Sequence, residues 1–415
     1  MTKKLKGVIL SVADTILNMG QIDKEVFYEV AKLMTFFKLR GITPVLLANQ
    51  DRTITINGER SNLYDYLEQR FDDLVVFTRQ RDANVPPKPR AAATAYVLEK
   101  MQWAPNEVVY IGSNEDDMKT AVNGGLLFLR AIWYSKNTDY GFEFSEPKEV
   151  ARFIDTLCLR EHFWSHEIKD GSFEYYALAP FSTYKEEFRK YSENARAAAK
   201  FGNGDVDFWL GALVTSMYFS GIHDEIDFVA SYPGHEAGYD NDKMKDDLMT
   251  FAKCFRKGYL HNLIERHTTA QKSQTARNKG IAIDHHNQIN TITLTRLPIK
   301  NYSQQYTNPP LRRGKTVLLV DDICTKGYSL DAARKYIERT GARTIMVSWL
   351  KTINTNFCTI GDMGKFDPYD INEFENVPMG IEYSYHRYHV DGAASEELGE
   401  QLEQYINWDW PKECV

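Results

Sequence analysis

Short apolar runs, each followed by a stretch with helical periodicity, confine this chain to few folds. In the first third, GVILSV (7–12), PVLLA (44–48), LVVF (74–77), VVYIG (108–112) and LLFLRAI (126–132) have the length and composition of buried strands. Between them, KEVFYEVAKLMTFFKL (24–39), PRAAATAYVLEKM (89–101) and DDMKTAVNGG (116–125) read as helices with caps or glycine stops. Strands buried on both faces need helices on both sides, so the alternation predicts a parallel sheet. EVARFIDTLCL (149–159) reads as the closing helix.

A second unit begins near residue 160. DGSFEYYALAPFS (170–182) joins a turn signal to a β-rich run, and YKEEFRKYSENARAAAKFG (184–202) reads as a helix. IDFVASYPG (226–234) is a strand entering a loop; TITLTRL (291–297), TVLLV (316–320) and TIMVSWL (344–350) are further strands. SLDAARKYIERTG (329–341) is a helix ending on Gly341. The expected architecture is α/β, with parallel-sheet domains over 1–159 and 160–360 and a C-terminal extension over 361–415. The extension is acidic and aromatic and carries no motif; it is expected to cap the second domain or meet a protein partner.

A chain of 415 residues, 43% hydrophobic and 26% charged, suits a soluble protein of two or three domains. Its net charge of -7 argues against a broad nucleic-acid or membrane-binding surface. The five cysteines, at 158, 254, 324, 358 and 414, form no CxxC pair, which points to a reduced cytoplasmic setting without disulfides or a zinc knuckle. The basic start MTKKLKGVILSVADTIL has no long apolar run, so no signal peptide is expected. No stretch has the apolar length of a membrane span.

The most distinctive motif is VLLVDDICTKGYS (317–329). An apolar strand runs into two adjacent carboxylates, then a turn with hydroxyls and a glycine that opens a helix. Backbone N–H groups of such a turn and the helix N-terminus favour a phosphate. Thr325 and Ser329 add hydroxyl donors, and Gly327 allows close backbone approach. Asp321 and Asp322, one step earlier, are placed for sugar hydroxyls or Mg²⁺. The residues thus point to a sugar phosphate, its anionic end in the loop and its diol on the acids.

This pattern resembles the signature of type I phosphoribosyltransferases: an apolar strand, two acids, two spacers, Thr, a spacer, Gly, a spacer, and Thr or Ser. RHTTAQKSQTARNKG (266–280) resembles a stretch of the ComF-like branch through Arg266, Gln271, Arg277 and Asn278, and VASYPGHEAG (229–238) falls where the family places its pyrophosphate loop. The resemblance covers residues from about 205 to 352. It implies that Asp321, Asp322, Thr325, Lys326, Gly327, Tyr328 and Ser329, with Tyr232 and Gly234, bind phosphoribosyl pyrophosphate (PRPP) or a related nucleotide or sugar phosphate. It also implies Mg²⁺ at Asp321 and Asp322, and a catalytic set of Asp321, Asp322, Lys272 and Arg277. One departure is clear: no Arg or Lys lies between Ser231 and Asp242. Backbone amides at Gly234 and Gly238, with His235, would have to serve, joined on closure by Lys272, Arg277 or Lys279. The implied reaction displaces pyrophosphate from the anomeric carbon by a nitrogen nucleophile, through positioning and charge neutralisation. It requires no covalent nucleophile, and Cys324 reads as a small filler.

GVILSVADTIL resembles motif I of haloacid dehalogenase-like (HAD-like) phosphatases, Asp-x-Asp-Gly-Thr after the first strand. Aligned on Thr15, the nucleophilic acid is Ser11, the general acid is Ala13, and the glycine is Asp14. Asn49 fits motif II, Lys88 fits the motif III lysine, and YIGSNEDDMKTAVNGG fits motif IV with Ser113 in place of its first acid and Asp116 or Asp117 remaining. The resemblance covers residues from about 5 to 158. That chemistry needs a carboxylate nucleophile on Mg²⁺ and a second carboxyl as acid. The losses therefore imply a pseudo-phosphatase, which either holds a phosphate through Thr15, Asn49 and Lys88 or serves as a scaffold. Asp14 is not expected to stand in for position 13, because adjacent strand residues face opposite ways.

IDHHN (283–287) and YHRYH (385–389) lack partner clusters at metal-ligand spacing and read as ordinary polar residues. WDWPK (408–412) reads as an exposed aromatic end for packing or partner contact. The leading functional expectation is a PRPP-dependent transferase fused to an inactive HAD-like domain, with homo-oligomerisation open. The alternatives are a non-catalytic PRPP or nucleotide sensor, and a regulated effector of a bacterial stress or anti-phage system.

Overall fold

The computed structural model describes residues 4–56, 58–136, 138, 140–238, 242–271 and 285–414. The first unit runs β1 (Gly7–Leu10), α1 (Lys24–Leu39), β2 (Thr43–Ala48), a β3–β4 hairpin (Thr53–Ile56, Glu59–Asn62), α2 (Leu63–Arg70), β5 (Val75–Thr78) and α3 (Ala91–Met101). It continues with β6 (Val108–Gly112), α4 (Glu115–Asn123), β7 (Leu127–Ala131), β8 (Phe142–Phe144) and α5 (Pro147–Phe153). Its six-stranded sheet has the order β5-β2-β1-β6-β7-β8, and every pairing is parallel, as the alternation predicts. α1 begins where Asp23 accepts hydrogen bonds from the amides of Glu25 and Val26. After α5 the chain makes one π-helical turn, Ile154–Cys158.

The second unit runs β9 (His166–Asp170), β10 (Phe173–Phe181), α6 (Glu186–Phe201), α7 (Val206–Ser220), α8 (Ile222–Glu225), β11 (Phe228–Ser231), α9 (Asp242–Cys254), β12 (Gly258–His261) and β13 (Ile264–Arg266). Then come α10 (His286–Ile289), β14 (Ile292–Leu294), β15 (Ile299–Lys300), β16 (Gln304–Gln305), β17 (Thr316–Cys324), α11 (Tyr328–Arg339), β18 (Arg343–Thr352), β19 (Phe357–Ile360), β20 (Met379–Tyr383) and α12 (Ala393–Ile406). The main sheet has the order β16-β15-β12-β11-β17-β18-β10-β9.

The structure corrects three readings here. The second sheet is mixed: its centre, β12-β11-β17-β18-β10, is parallel, but β9 pairs antiparallel with β10, and β15 with β12 and β16. The turn at Gly171 is too short for a crossover, so β9 can only fold back as a hairpin. The 291–297 run is not a core strand; β14 pairs with β13 in a separate two-stranded sheet. The 316–320 strand does not stop at the acids, since β17 stays paired with β18 as far as Cys324 opposite Lys351.

The two units share one apolar core. A single buried cluster includes Val8 and Phe36 of the first, Trp209, Met217 and Val320 of the second, and Leu402 and Trp410 of the tail. α7 is its axle. Twelve of its residues, Phe208 to Phe219, are buried, so it is apolar all round. Tyr218 OH donates to the carbonyls of Pro105 and Val108, each at 2.6 Å, and a Cβ on Gly211 would strike Leu157 at 2.5 Å. Arg160, fully buried beside α7, donates to Ala212 O (2.9 Å) and Ser216 Oγ (2.7 Å).

The C-terminal segment reaches back to the first unit. Asp155, 7% exposed, accepts from Arg40 Nε (2.7 Å), Arg40 Nη2 (3.1 Å), Gln404 Nε2 (3.0 Å) and Trp408 Nε1 (2.9 Å). Trp408 and Trp410 stand edge-on to Phe36, with centroids 6.2 and 6.5 Å away. The WDWPK end is thus a packing contact, with Trp410 buried. All five cysteines are buried and free, and no helix among the described residues is long and apolar enough to cross a membrane.

Trp410→Ala should therefore destabilise the whole chain by about 3–5 kcal/mol. Urea unfolding followed with separate probes in each unit checks this. A tail that merely decorates the surface would leave both midpoints in place.

Candidate functional site

In the first unit, β1 leads to β2 on one side of the sheet and β6 leads to β7 on the other. That reversal opens a crevice at the carboxyl ends of β1 and β6. Ser11 follows β1, Ser113 follows β6, and Asp117 enters from the first turn of α4. Lys88 Nζ lies 2.5 Å from Asp117 Oδ1 and 3.4 Å from Ser11 Oγ. Asp117 also accepts from Tyr110 OH (3.3 Å) and Ser113 N (3.2 Å). Burial works against the charge on Lys88, but Tyr110 and Asp117 outweigh it and hold the ammonium pKa well above its ordinary value.

Of the expected cluster, Ser11, Lys88, Ser113 and Asp117 meet, while Asp116 is exposed. The residues expected to hold a phosphate are engaged elsewhere. Asn49 exchanges hydrogen bonds of 2.8 and 3.2 Å with the Lys88 backbone, and Thr15 Oγ1 turns back to Ala13 O at 3.5 Å. Strand alternation is not what rules out Asp14. β1 ends at Leu10, and Asp14 sits in a left-handed turn at φ 55°. The site also does not suit Mg²⁺: its carboxylate, Asp117, is bound to an ammonium, and Ser11, Ala13 and Ser113 add no second acid.

The second sheet has the same kind of reversal. β11 leads to β12 on one side and β17 leads to β18 on the other, with β11 and β17 adjacent. The loops after these strands bring together the residues singled out in the sequence. Tyr232 OH donates to Gln288 Oε1 (2.7 Å) and accepts from Arg266 Nη2 (2.9 Å). Burial raises the Tyr232 hydroxyl pKa; Arg266 and a hydrogen bond with Ser329 oppose this, and the nearby Asp321 carboxylate adds to it. Ser329 is therefore beside Tyr232, and the Asp321 carboxylate is near enough for its charge to be felt there. Gly234 is held through its carbonyl by Arg266 Nε at 2.5 Å.

The turn from Thr325 to Tyr328 has its carbonyls committed inward. Thr325 O accepts from the Lys351 ammonium and from Thr355 Oγ1 (2.7 Å). Lys326 O accepts from Cys358 N (2.9 Å), and Gly327 O from Asp331 N (2.8 Å). In a trans peptide the following N–H points the other way. The Gly327 N–H reaches the buried Cys324 thiol, while the amides of Lys326 and Tyr328 are turned away from these carbonyl partners at the start of α11, where a helix N-terminus favours an anion. Gly327 has φ 78°, and a Cβ there would sit 2.4 Å from the Phe357 ring. Cys324 is buried, and burial raises its thiol pKa, which leaves it an inert filler.

Several contributors were not anticipated. Lys351, 2% exposed at the end of β18, donates to three oxygens, of Thr325 and Thr355. Burial pulls its pKa down, against Cys324 and Cys358. The His285 ring packs against Tyr328 at a tilt of 55°, with centroids 4.2 Å apart. Arg266, singled out in the sequence, is a buried anchor held by Thr291, Gly234, Tyr232 and Gln288. Lys272, Arg277, Asn278 and Lys279 lie outside the described residues. Among the described residues, no group of three or more His, Cys, Asp or Glu side chains is arranged to hold a metal.

Residues 5–125 match the family profile described as haloacid dehalogenase-like hydrolase. No curated protein matches the chain. Among solved structures, a HAD-superfamily hydrolase of subfamily IA, variant 1, from Geobacter sulfurreducens is 16% identical, covering 37% of this chain and 100% of its own, with a TM-score of 0.25. A HAD-superfamily hydrolase from Ehrlichia chaffeensis is also 16% identical, covering 37% of this chain and 98% of its own, with a TM-score of 0.26. The N-terminal unit carries a HAD-like domain.

Lys351→Met should leave the Thr325 and Thr355 carbonyls without their cation and destabilise the protein by about 1–3 kcal/mol. Chemical denaturation reads this directly, and unchanged stability would mean that the lysine does not hold the loop.

Proposed function

We propose that the second unit binds PRPP, or a closely related sugar phosphate, at the 321–329 loop and transfers its phosphoribosyl group to a nitrogen nucleophile, beside an inactive HAD-like domain. The observation that carries this is the turn itself: its carbonyls are committed to the protein, glycine sits at the helix start, and two acids lie just upstream at a sheet reversal. In this reading the Lys326 and Tyr328 amides, with the Thr325 and Ser329 hydroxyls, hold the 5-phosphate. Asp321 and Asp322 accept from the ribose hydroxyls. Tyr232, fixed by Arg266, lines the other wall of the crevice. When bound, Mg²⁺ neutralises the pyrophosphate, and Asp321 and Asp322 are the residues that would hold it together with the ligand. The chain's own part is to orient the sugar and keep its acids near the positive charge that develops at the anomeric carbon.

One observation favours the sensor reading instead. No Arg or Lys lies between Ser231 and Asp242, and Arg266, the cation nearest Tyr232, already holds Tyr232, Gly234, Thr291 and Gln288. Leaving-group charge would then have to come from outside that loop. Pyrophosphate release separates the two readings.

Titration calorimetry with PRPP and Mg²⁺ should show saturable binding. Asp321→Asn with Asp322→Asn should weaken it by about 1.5–3 kcal/mol per charge-assisted hydrogen bond lost, with the fold intact. No heat from the unmutated protein sinks the proposal. With a panel of bases and cell extract, pyrophosphate should appear only when PRPP and an acceptor are both present. Tight binding without any release assigns the domain to sensing.

The first domain should release no phosphate from sugar phosphates or nucleotides, because Ser11 and Ala13 replace both catalytic acids. Mg²⁺-dependent phosphate release that Ser11→Ala abolishes would overturn this.

A further inference from the structure

A cleft of about 500 Å³ lies where the two units and the C-terminal helix meet, lined by none of the residues named above for either crevice. That volume is in the range of small-molecule sites, which favour domain junctions. Its walls come from β7, β8 and α5 of the first unit, from α7 and α9 of the second, and from α12.

Three cations line it: Arg130, Arg152 and Lys253. Arg130, 1% exposed, pairs with Glu143, and Glu143 also holds Lys136 at 2.8 Å. That carboxylate therefore serves two cations. Glu149 is engaged with Ser145, through its N–H at 2.6 Å and its hydroxyl at 2.9 Å. Among the described residues, no ion pair forms at Arg152 or Lys253, and Arg152 Nε is buried without a hydrogen-bond partner. A buried donor left unmade is costly and calls for a partner. The Arg152 guanidinium lies over the Tyr405 ring at 4.3 Å, which fixes its plane. Phe142 and Phe144 add apolar lining. Asp207, exposed at the start of α7, adds an acceptor suited to hydroxyl groups.

A planar fork and an ammonium, on different elements, match the oxygens of a phosphate. Aromatic walls suit a flat ring, and a carboxylate at the rim suits a sugar hydroxyl. We propose that this cleft is a second ligand site, taking a phosphomonoester carried on a flat ring through a sugar, of nucleoside monophosphate size, with Arg152 and Lys253 as its phosphate ligands. The assignment does not depend on the reading of the 321–329 loop. It gives the first unit a part in binding, since Arg130 and Arg152 lie on its β7 and α5.

The test is calorimetry on the full chain with AMP, with GMP, CMP, adenosine and inorganic phosphate as separate titrants. AMP or another of these nucleotides should bind saturably, and Lys253→Gln should weaken it at least tenfold. Arg152→Gln should do the same; because Arg152 also packs on Tyr405, Lys253→Gln, at a half-buried position, is the decisive variant if that protein is unstable. Because transfer from PRPP to a base would itself leave a nucleoside monophosphate at the 321–329 loop, the titration is repeated in the Asp321→Asn, Asp322→Asn protein, where a nucleotide site that Lys253→Gln weakens at least tenfold should remain. Three results would overturn the proposal: no nucleotide heat at millimolar concentration, affinity lost only in the Asp321 and Asp322 variant, or inorganic phosphate binding as tightly as the nucleotide.

Discussion

The arrangement of this protein hangs on one buried carboxylate. Asp155 sits at the end of the first unit and accepts hydrogen bonds from α1, α12 and the final tryptophan segment. A buried charge is tolerated only when it is paired and its lone pairs are filled. Here a bidentate arginine and two neutral donors fill them. That requirement fixes where the tail returns. It places Trp408 and Trp410 on Phe36, and it closes the first domain against the second. With α7 threaded between them, the halves are covalent neighbours that also share a single interior.

Both sheets open a crevice where successive connections part, yet the two crevices differ in polarity. In the first, the lysine, the aspartate and the serine satisfy one another, and the backbone of Lys88 occupies Asn49 as well. In the second, the turn's carbonyls and the Gly327 amide are drawn below it, and the Lys326 and Tyr328 amides are left for the opposite side. The difference lies in where the partners sit: Lys88 points into the crevice and is neutralised there, while Lys351 lies beneath the loop and organises it from behind.

Much of this was legible in the chain. The parallel first sheet followed from apolar runs alternating with amphipathic helices, and α1 falls at the residues its periodicity marks. Tyr232 and Ser329, singled out one by one, come within hydrogen-bond reach of each other. α7 was passed over because a helix apolar on every side has no 3.6-residue stripe to detect. The antiparallel edges escaped because strand runs read singly carry no direction. Lys351 was hidden at the end of an apolar strand run, where a lone lysine reads as a boundary. The extent of β17 was misjudged since two adjacent acids look like a strand end, whereas Asp321 remains in the ladder opposite Ser348. His285 looked like an ordinary polar residue because its partner, Tyr328, is 43 positions away.

The ring of Phe357 over Gly327 ties the loop to the hairpin that begins the C-terminal part of the chain. Neither position can change alone at no cost. A side chain at 327 meets the ring at once, and a smaller residue at 357 first opens a gap beneath the turn. The two sites therefore form an epistatic pair in which the order of substitution decides what is tolerated, with the hairpin changing before the loop. Even then the left-handed backbone at 327 keeps glycine favoured. A lineage drifting from this architecture would be expected to lose the hairpin aromatic before the glycine, so the state of residue 357 is the earlier marker of a loop released from its task.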